Sequence, residues 1–349
     1  MDLRQRWVGL DIAKALCVLV MVFIHSSFWL ITSQDEVMNT QSFMYPIVTH
    51  TTFLGLFPLS LPATAGCGLR LYLDRLQSVG KELEIRTLLK TSAAIMVLGY
   101  AMTVLTWGFS QGFEWDVLHF VGLSYLVIGL ALKVTTIPVL IIMGLLSMFA
   151  TDVLRELWAS SNTFVTGVLI GNDSGFFFWP FFPWFATLVF GFALAHFFLE
   201  TKNSRVFQGA SMGMGVLFIA FSLWLGDFFL ILNPESVWGE NVFRPRIGFI
   251  IGLMGFFSAL VTFGQWLGEK GRWADSDFIQ SFSKGILWIY LIHIIVGARL
   301  AAYYTRWIPL NVFTALLFSF SLIGFSYLVG KASVILTEKK LRITLVKAP

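Results

Sequence analysis

Charge is what this chain has least of. Asp, Glu, Lys and Arg make up 13% of its 349 residues, about half the share of a soluble domain. That scarcity excludes an ordinary water-soluble globule. Cysteine is nearly absent too. Cys17 and Cys67 both lie in apolar runs, so no disulfide framework is indicated and no redox compartment can be inferred. There is no Walker loop, dinucleotide-binding glycine pattern, serine-hydrolase elbow or metal-ligand spacing. No soluble domain of useful size, strong internal repeat or low-complexity tract occurs. The short basic N-terminus leads into an apolar run that lacks a small-residue cleavage signal. It reads as a retained span and not as a signal peptide.

What remains is apolar. Hydrophobic residues make up 57% of the chain, with 13 Trp and 36 Phe suited to lipid-facing surfaces and interfacial belts. Roughly 20 apolar residues cross a bilayer. Runs of that kind fall near 8–32, 51–73, 88–107, 116–133, 136–154, 178–199, 207–231, 247–267, 284–304 and 309–330. The expected fold is all-α: a polytopic transmembrane bundle of about ten spans, forming a single integral-membrane domain over residues 1–349. With the N-terminus inside, most of the 24 Lys and Arg fall in the inner segments, which places both termini in the cytoplasm. The same basic loops explain the net charge of +4 without a nucleic-acid partner.

The first span, WVGLDIAKALCVLVMVFIHSSFWLI, carries Asp11, Lys14 and His25. Lys14 and His25 fall within roughly 20° of each other around the helix, with Asp11 nearby. Lipid penalises such a stripe, so it should face protein or a watery cavity. About 16 Å of helical rise separates Lys14 from His25, so the lysine cannot assist chemistry there directly. It suits the phosphate of an elongated ligand, or an ion pair with Asp11.

Topology puts three of the five histidines toward the outer side: His25, His50 at the start of the second span, and His119 in WDVLHFVGL. Asp116 precedes His119 by one helical turn. A carboxylate so placed can orient a histidine as a general base; the plainer reading is a packing histidine bonded to a backbone carbonyl. His50 could add a polar group at the outer mouth. His293, in ILWIYLIHIIVG, reads as structural, with Tyr290 or a polar group of the first span as partner. His196 reads as peripheral. Arg70 and Arg75, followed by Lys81, Arg86 and Lys90, form a basic stretch that could attract a nucleotide phosphate or simply mark the inner side. Gly66 and Gly68 permit close helix approach. Pro180 and Pro183 should shape the entrance to the sixth span, with Trp179 and Trp184 at the interface.

Several segments resemble the transmembrane acyltransferase superfamily. LDIAKALCVLVMVFIH resembles its first span; in the acyltransferase-three branch an arginine stands where Lys14 does, and a histidine at the position of His25. WDVLHFVGLSYLVIGLAL is similar to a segment of bacterial proteins related to heparan-alpha-glucosaminide N-acetyltransferase. FPLSLPATAGCGLRLYL and WPFFPWFATLVFGFALA look like two further blocks of that group, and LWIYLIHIIVG resembles a late segment of the superfamily. His50 stands closer to the FP block than that group's histidine does.

The resemblance implies transfer of an acyl group, usually acetyl, from cytoplasmic acyl-CoA to a sugar or glycan acceptor at the outer face, with no metal. It makes His25 the catalytic base or an acyl-carrying nucleophile, with His119 and Asp116 orienting the acceptor or serving as an alternative base. Lys14, Arg70 and Arg75 would hold the acetyl-CoA phosphates, and Asp11 and His50 would face the substrate. A bacterial inner membrane is the expected location. Two rivals stand beside it. One is a transporter or lipid translocator that uses the Asp11–Lys14–His25 stripe as a proton relay, although duplicated halves and paired broken helices are missing. The other is an inactive relative with a scaffold role.

Overall fold

The computed structural model describes residues 6–32, 53–171, 177–201, 203–227, 244–271, 273–309 and 311–346. Its helices are α1 (Val8–Thr32), α2 (Leu61–Ser78), α3 (Ile85–Trp107), α4 (Val117–Val134), α5 (Ile137–Leu157), α6 (Phe164–Ile170), α7 (Phe181–Glu200), α8 (Ser204–Trp224), α9 (Ile247–Lys270), α10 (Asp277–Lys284), α11 (Ile286–Trp307) and α12 (Val312–Val346). A four-residue helix, Leu56–Leu59, precedes α2. The chain is an all-α polytopic membrane protein. Among the described residues nine helices are long and apolar enough to cross a bilayer: α1, α3, α4, α5, α7, α8, α9, α11 and α12.

The second expected span departs from the pattern. Its helix breaks at Ser60, restarts with Pro62 in its first turn, and continues to Ser78. The late end carries Arg70, Asp74 and Arg75 into α2, which makes it too polar to count among the nine. Even so, Arg70 and Asp74 are buried against protein, 3.9 Å apart.

The chain divides into two compact units. The first comprises Met1–Pro58 and Leu260–Pro349. In it α1 packs against α10, α11 and α12. Two hydrogen bonds join α1 to neighbouring helices of this unit, where lipid supplies no partner. Ser26 Oγ donates to Ser319 Oγ at 2.7 Å, joining α1 to α12. The Gly9 N–H donates to Gln265 Oε1 at 3.0 Å.

The second unit is Leu59–Ala259. Its centre is the crossing of α2 with α7, flanked by α3 against α4 and α5 against α7. The crossing depends on missing side chains. A Cβ on Gly66 would overlap the Leu188 carbonyl, and one on Gly191 would overlap the Ala63 carbonyl. Cys67 Sγ reaches the Gly191 carbonyl at 3.1 Å. Gly68 meets nothing within 4 Å, so of the two glycines expected to permit close approach only Gly66 does so. Pro180 caps α7 as expected. Trp179 and Trp184, expected at the membrane interface, are buried in protein instead, and Trp115 Nε1 donates to the Trp179 carbonyl at 2.8 Å.

Candidate active site

The first unit gathers the α1 stripe against α10 and α11. Asp11 is held at both oxygens: Arg6 Nε donates to one at 2.6 Å and Ser283 Oγ to the other at 2.8 Å. Its geometry is that of an anchor between α1 and α10. Lys14 is half-buried one turn further along.

His25 faces protein, not lipid. Its Nδ1 lies 3.0 Å from Nε2 of His293, with the two rings stacked, and Trp29 packs 5.4 Å from the His25 ring. The tautomers follow from the far end of this chain. His293 Nδ1 lies 2.7 Å from the Ile289 carbonyl. A carbonyl only accepts, so that nitrogen carries the hydrogen. In neutral His293, Nε2 is then an acceptor, and His25 Nδ1 must donate to it. Neutral His25 is left with an unprotonated Nε2. That nitrogen makes no hydrogen bond among the described residues. A polar partner on the first span was an expectation for His293. That the partner would be His25, and would set its tautomer, was not.

In the second unit His119 and Asp116 meet, but as a helix cap. Asp116 has extended backbone (φ −113°, ψ 176°), and its Oδ1 accepts the Val117 N–H at 2.6 Å. His119 Nδ1 accepts the Asp116 backbone N–H at 3.0 Å. This is a capping box with histidine in the reciprocal position. With Nδ1 accepting, neutral His119 carries its hydrogen on Nε2, which is buried without a hydrogen-bond partner among the described residues. Instead of an aspartate holding a histidine as base, both side chains secure the N-terminus of α4. The Tyr100 ring lies 4.0 Å from that of His119.

Glu114, beside this cap, was not singled out by sequence. It is buried; desolvation first, and then the charge of Asp116, push its carboxyl up to about 7 from an ordinary 4.5. The fold therefore favours the protonated form. Its stabilisation is fully present below pH about 4.5 and is lost as pH rises through about 7. Thermal unfolding in detergent across that window should show stability falling with pH, and Glu114→Gln should flatten the slope. An equally steep slope in the variant would exclude Glu114 as its source.

Arg70 opens into a cavity of about 370 Å³ whose other polar walls are Gln77, Lys81, Glu82, Lys133, Thr135 and Thr136. Arg70 Nη2 also donates to His196 Nδ1 at 3.4 Å, so His196 is not peripheral as expected. The N-terminus of α5 lies at the cavity wall, and Thr136 caps it without a side-chain hydrogen bond. Cations, hydroxyls and a helix N-terminus around one cavity suit a phosphate. Arg75 is exposed and lies outside it. Lys133, from α4, lines it. His50 lies outside the described residues.

Comparison with known families decides the class. Residues 6–233, about two-thirds of the chain, match the family described as heparan-alpha-glucosaminide N-acetyltransferase, catalytic. The chain belongs to this family. It is a multi-pass membrane protein of an acetyltransferase family whose members use acetyl-CoA as donor in general. The match includes α1 with His25 and the α2–α7 crossing, and ends before α11 and His293. Comparison with curated proteins found no match.

Proposed function

We propose that this acetyltransferase moves an acetyl group from acetyl-CoA on the cytoplasmic side to an amine or hydroxyl of a sugar acceptor at the outer face of a bacterial inner membrane. The observation that carries the reading is the ordered tautomer of His25. Its Nε2 lone pair is free while Nδ1–H is engaged by His293.

In the reaction, His25 Nε2 takes the proton of the acceptor amine or hydroxyl as that group attacks the thioester carbonyl. The C–S bond breaks, and the proton passes from Nε2 to the departing CoA sulfur. The imidazolium formed on the way is stabilised by the hydrogen bond it donates to His293. Within the second unit, the cavity of Arg70, Lys81 and Lys133 with the α5 N-terminus suits phosphate groups. Asp116 and His119 fix the start of α4. Asp11 ties α1 to α10.

Both termini lie in the cytoplasm if α2 crosses the membrane together with the nine apolar helices. Its 18 residues rise about 27 Å, close to the hydrocarbon thickness. The reading is tested by replacing His25 in the purified protein and measuring acetyl transfer from acetyl-CoA.

A further inference from the structure

The cations around the Arg70 cavity are not alike. Lys81 and Lys133 are exposed, whereas Arg70 is 8% exposed. A surface lysine keeps its water and its freedom to swing. A buried guanidinium attracts an anion more strongly, but only where it is held. What holds Arg70 is therefore part of how the cavity works.

The helix crossing supplies the holder. Gly191 of α7 meets Ala63 of α2, and further along both helices Arg70 meets His196. The close approach that the glycines permit thus brings His196 within reach. Arg70 Nη2 donates to His196 Nδ1 at 3.4 Å, and Asp74 Oδ1 lies 3.9 Å from Nη1. A guanidinium only donates, so Nδ1 is the acceptor and neutral His196 carries its hydrogen on Nε2. His196 is one-third exposed, and Glu200 Oε1 lies 3.9 Å from the same Nδ1. His196 is not among the residues lining the cavity, so it reaches a ligand there through Arg70.

The kind of acceptor matters. A neutral imidazole fixes the guanidinium and leaves its charge in place. Asp74 already offsets part of that charge. A second carboxylate, at the position of His196, would hold Arg70 equally well but cancel the attraction a phosphate needs.

We propose that His196 is a positioning residue for the donor: it holds the Arg70 guanidinium at the cavity wall and leaves its charge for a phosphate of acetyl-CoA. This inference rests on the acyl-transfer reading above.

The test measures equilibrium binding of CoA, and unfolding temperature, for the full-length protein in phosphatidylcholine nanodiscs. His196→Ala should weaken CoA binding about tenfold. His196→Asn puts an amide oxygen close to the place of Nδ1 and should recover most of that loss. His196→Asp also restores an acceptor, and its pair with Arg70 should keep the unfolding temperature at or above that of the wild type. CoA binding in His196→Asp should nevertheless be as weak as in His196→Ala, or weaker. A merely structural tie between α2 and α7 would be restored by aspartate as well as by asparagine. Should His196→Ala fail to fold, the comparison of asparagine with aspartate still decides.

Unchanged CoA binding in His196→Ala, or equal recovery by Asp and Asn, overturns the proposal, as does a wild type that binds no CoA. Transfer from labelled acetyl-CoA to a glucosaminide is measured separately. The expected binding order with no acetyl transfer supports the role of His196 while removing the transfer reading. Transfer that proceeds with CoA binding equal in all four proteins removes His196 and leaves that reading intact.

Discussion

His25→Ala is expected to lower acetyl transfer between about 10²-fold and 10⁴-fold, with helical content and unfolding temperature nearly unchanged. The magnitude follows from a base that is ordered before substrate arrives. The Ile289 carbonyl fixes the hydrogen of His293 on Nδ1, His293 Nε2 fixes that of His25 on Nδ1, and the His25 Nε2 lone pair is left for the acceptor proton. The variant removes the base and keeps α1, whose packing on α10, α11 and α12 does not depend on this ring alone. His293→Ala should cost less, because His25 remains but both of its tautomers become populated. His293→Gln should recover part of the loss, since its amide oxygen can still accept from His25 Nδ1. Measuring kcat for the three variants checks the order. Full activity in His25→Ala would remove it as the base. Equal rates in His293→Ala and His293→Gln would show that His293 acts by packing and not by setting the tautomer.

The second large effect is on folding. Gly66→Val and Gly191→Val should each destabilise the protein by about 3 kcal/mol or more, read as loss of the monodisperse peak in detergent or a collapse of the unfolding temperature. At both positions a side chain would meet backbone carbonyls of the opposing helix, Leu188 for Gly66 and Ala63 for Gly191. A carbonyl in a helix cannot swing aside as a flexible side chain can. Separating α2 from α7 to make room would strip contacts from Trp184, Phe185 and Phe192, all fully buried. Gly68→Ala is the control on the same helix. Its Cβ meets open space, and alanine is the better helix former. If Gly191→Val stays as stable as Gly68→Ala, the close approach of α2 and α7 does not hold the second unit together.

The apolar spans could be read from sequence because period and length carry that signal directly. The partnership of His25 with a helix near the C-terminus was half legible. A histidine in the middle of an apolar span needs a polar partner, and the first span offered one. What sequence could not show was direction. Asp116 and His119 stand one turn apart whether they form an acid–base pair or a capping box. The extended backbone of Asp116 turns its carboxylate onto the Val117 N–H, and the capping box is the arrangement the structure has.

The Arg70 cavity illustrates the same limit. Arg70 and Arg75 are neighbours in sequence, yet only Arg70 lines the cavity, because residues five apart on a helix diverge while Lys133 arrives from α4.

The most direct measurement of the central claim uses sealed vesicles containing the oriented protein, with labelled acetyl-CoA outside and a glucosaminide trapped inside. The account predicts acetylated sugar inside, free CoA outside, and neither in vesicles carrying His25→Ala. Intact labelled thioester or a co-transported solute appearing inside, with no acetylated sugar, would contradict it and make the protein a transporter.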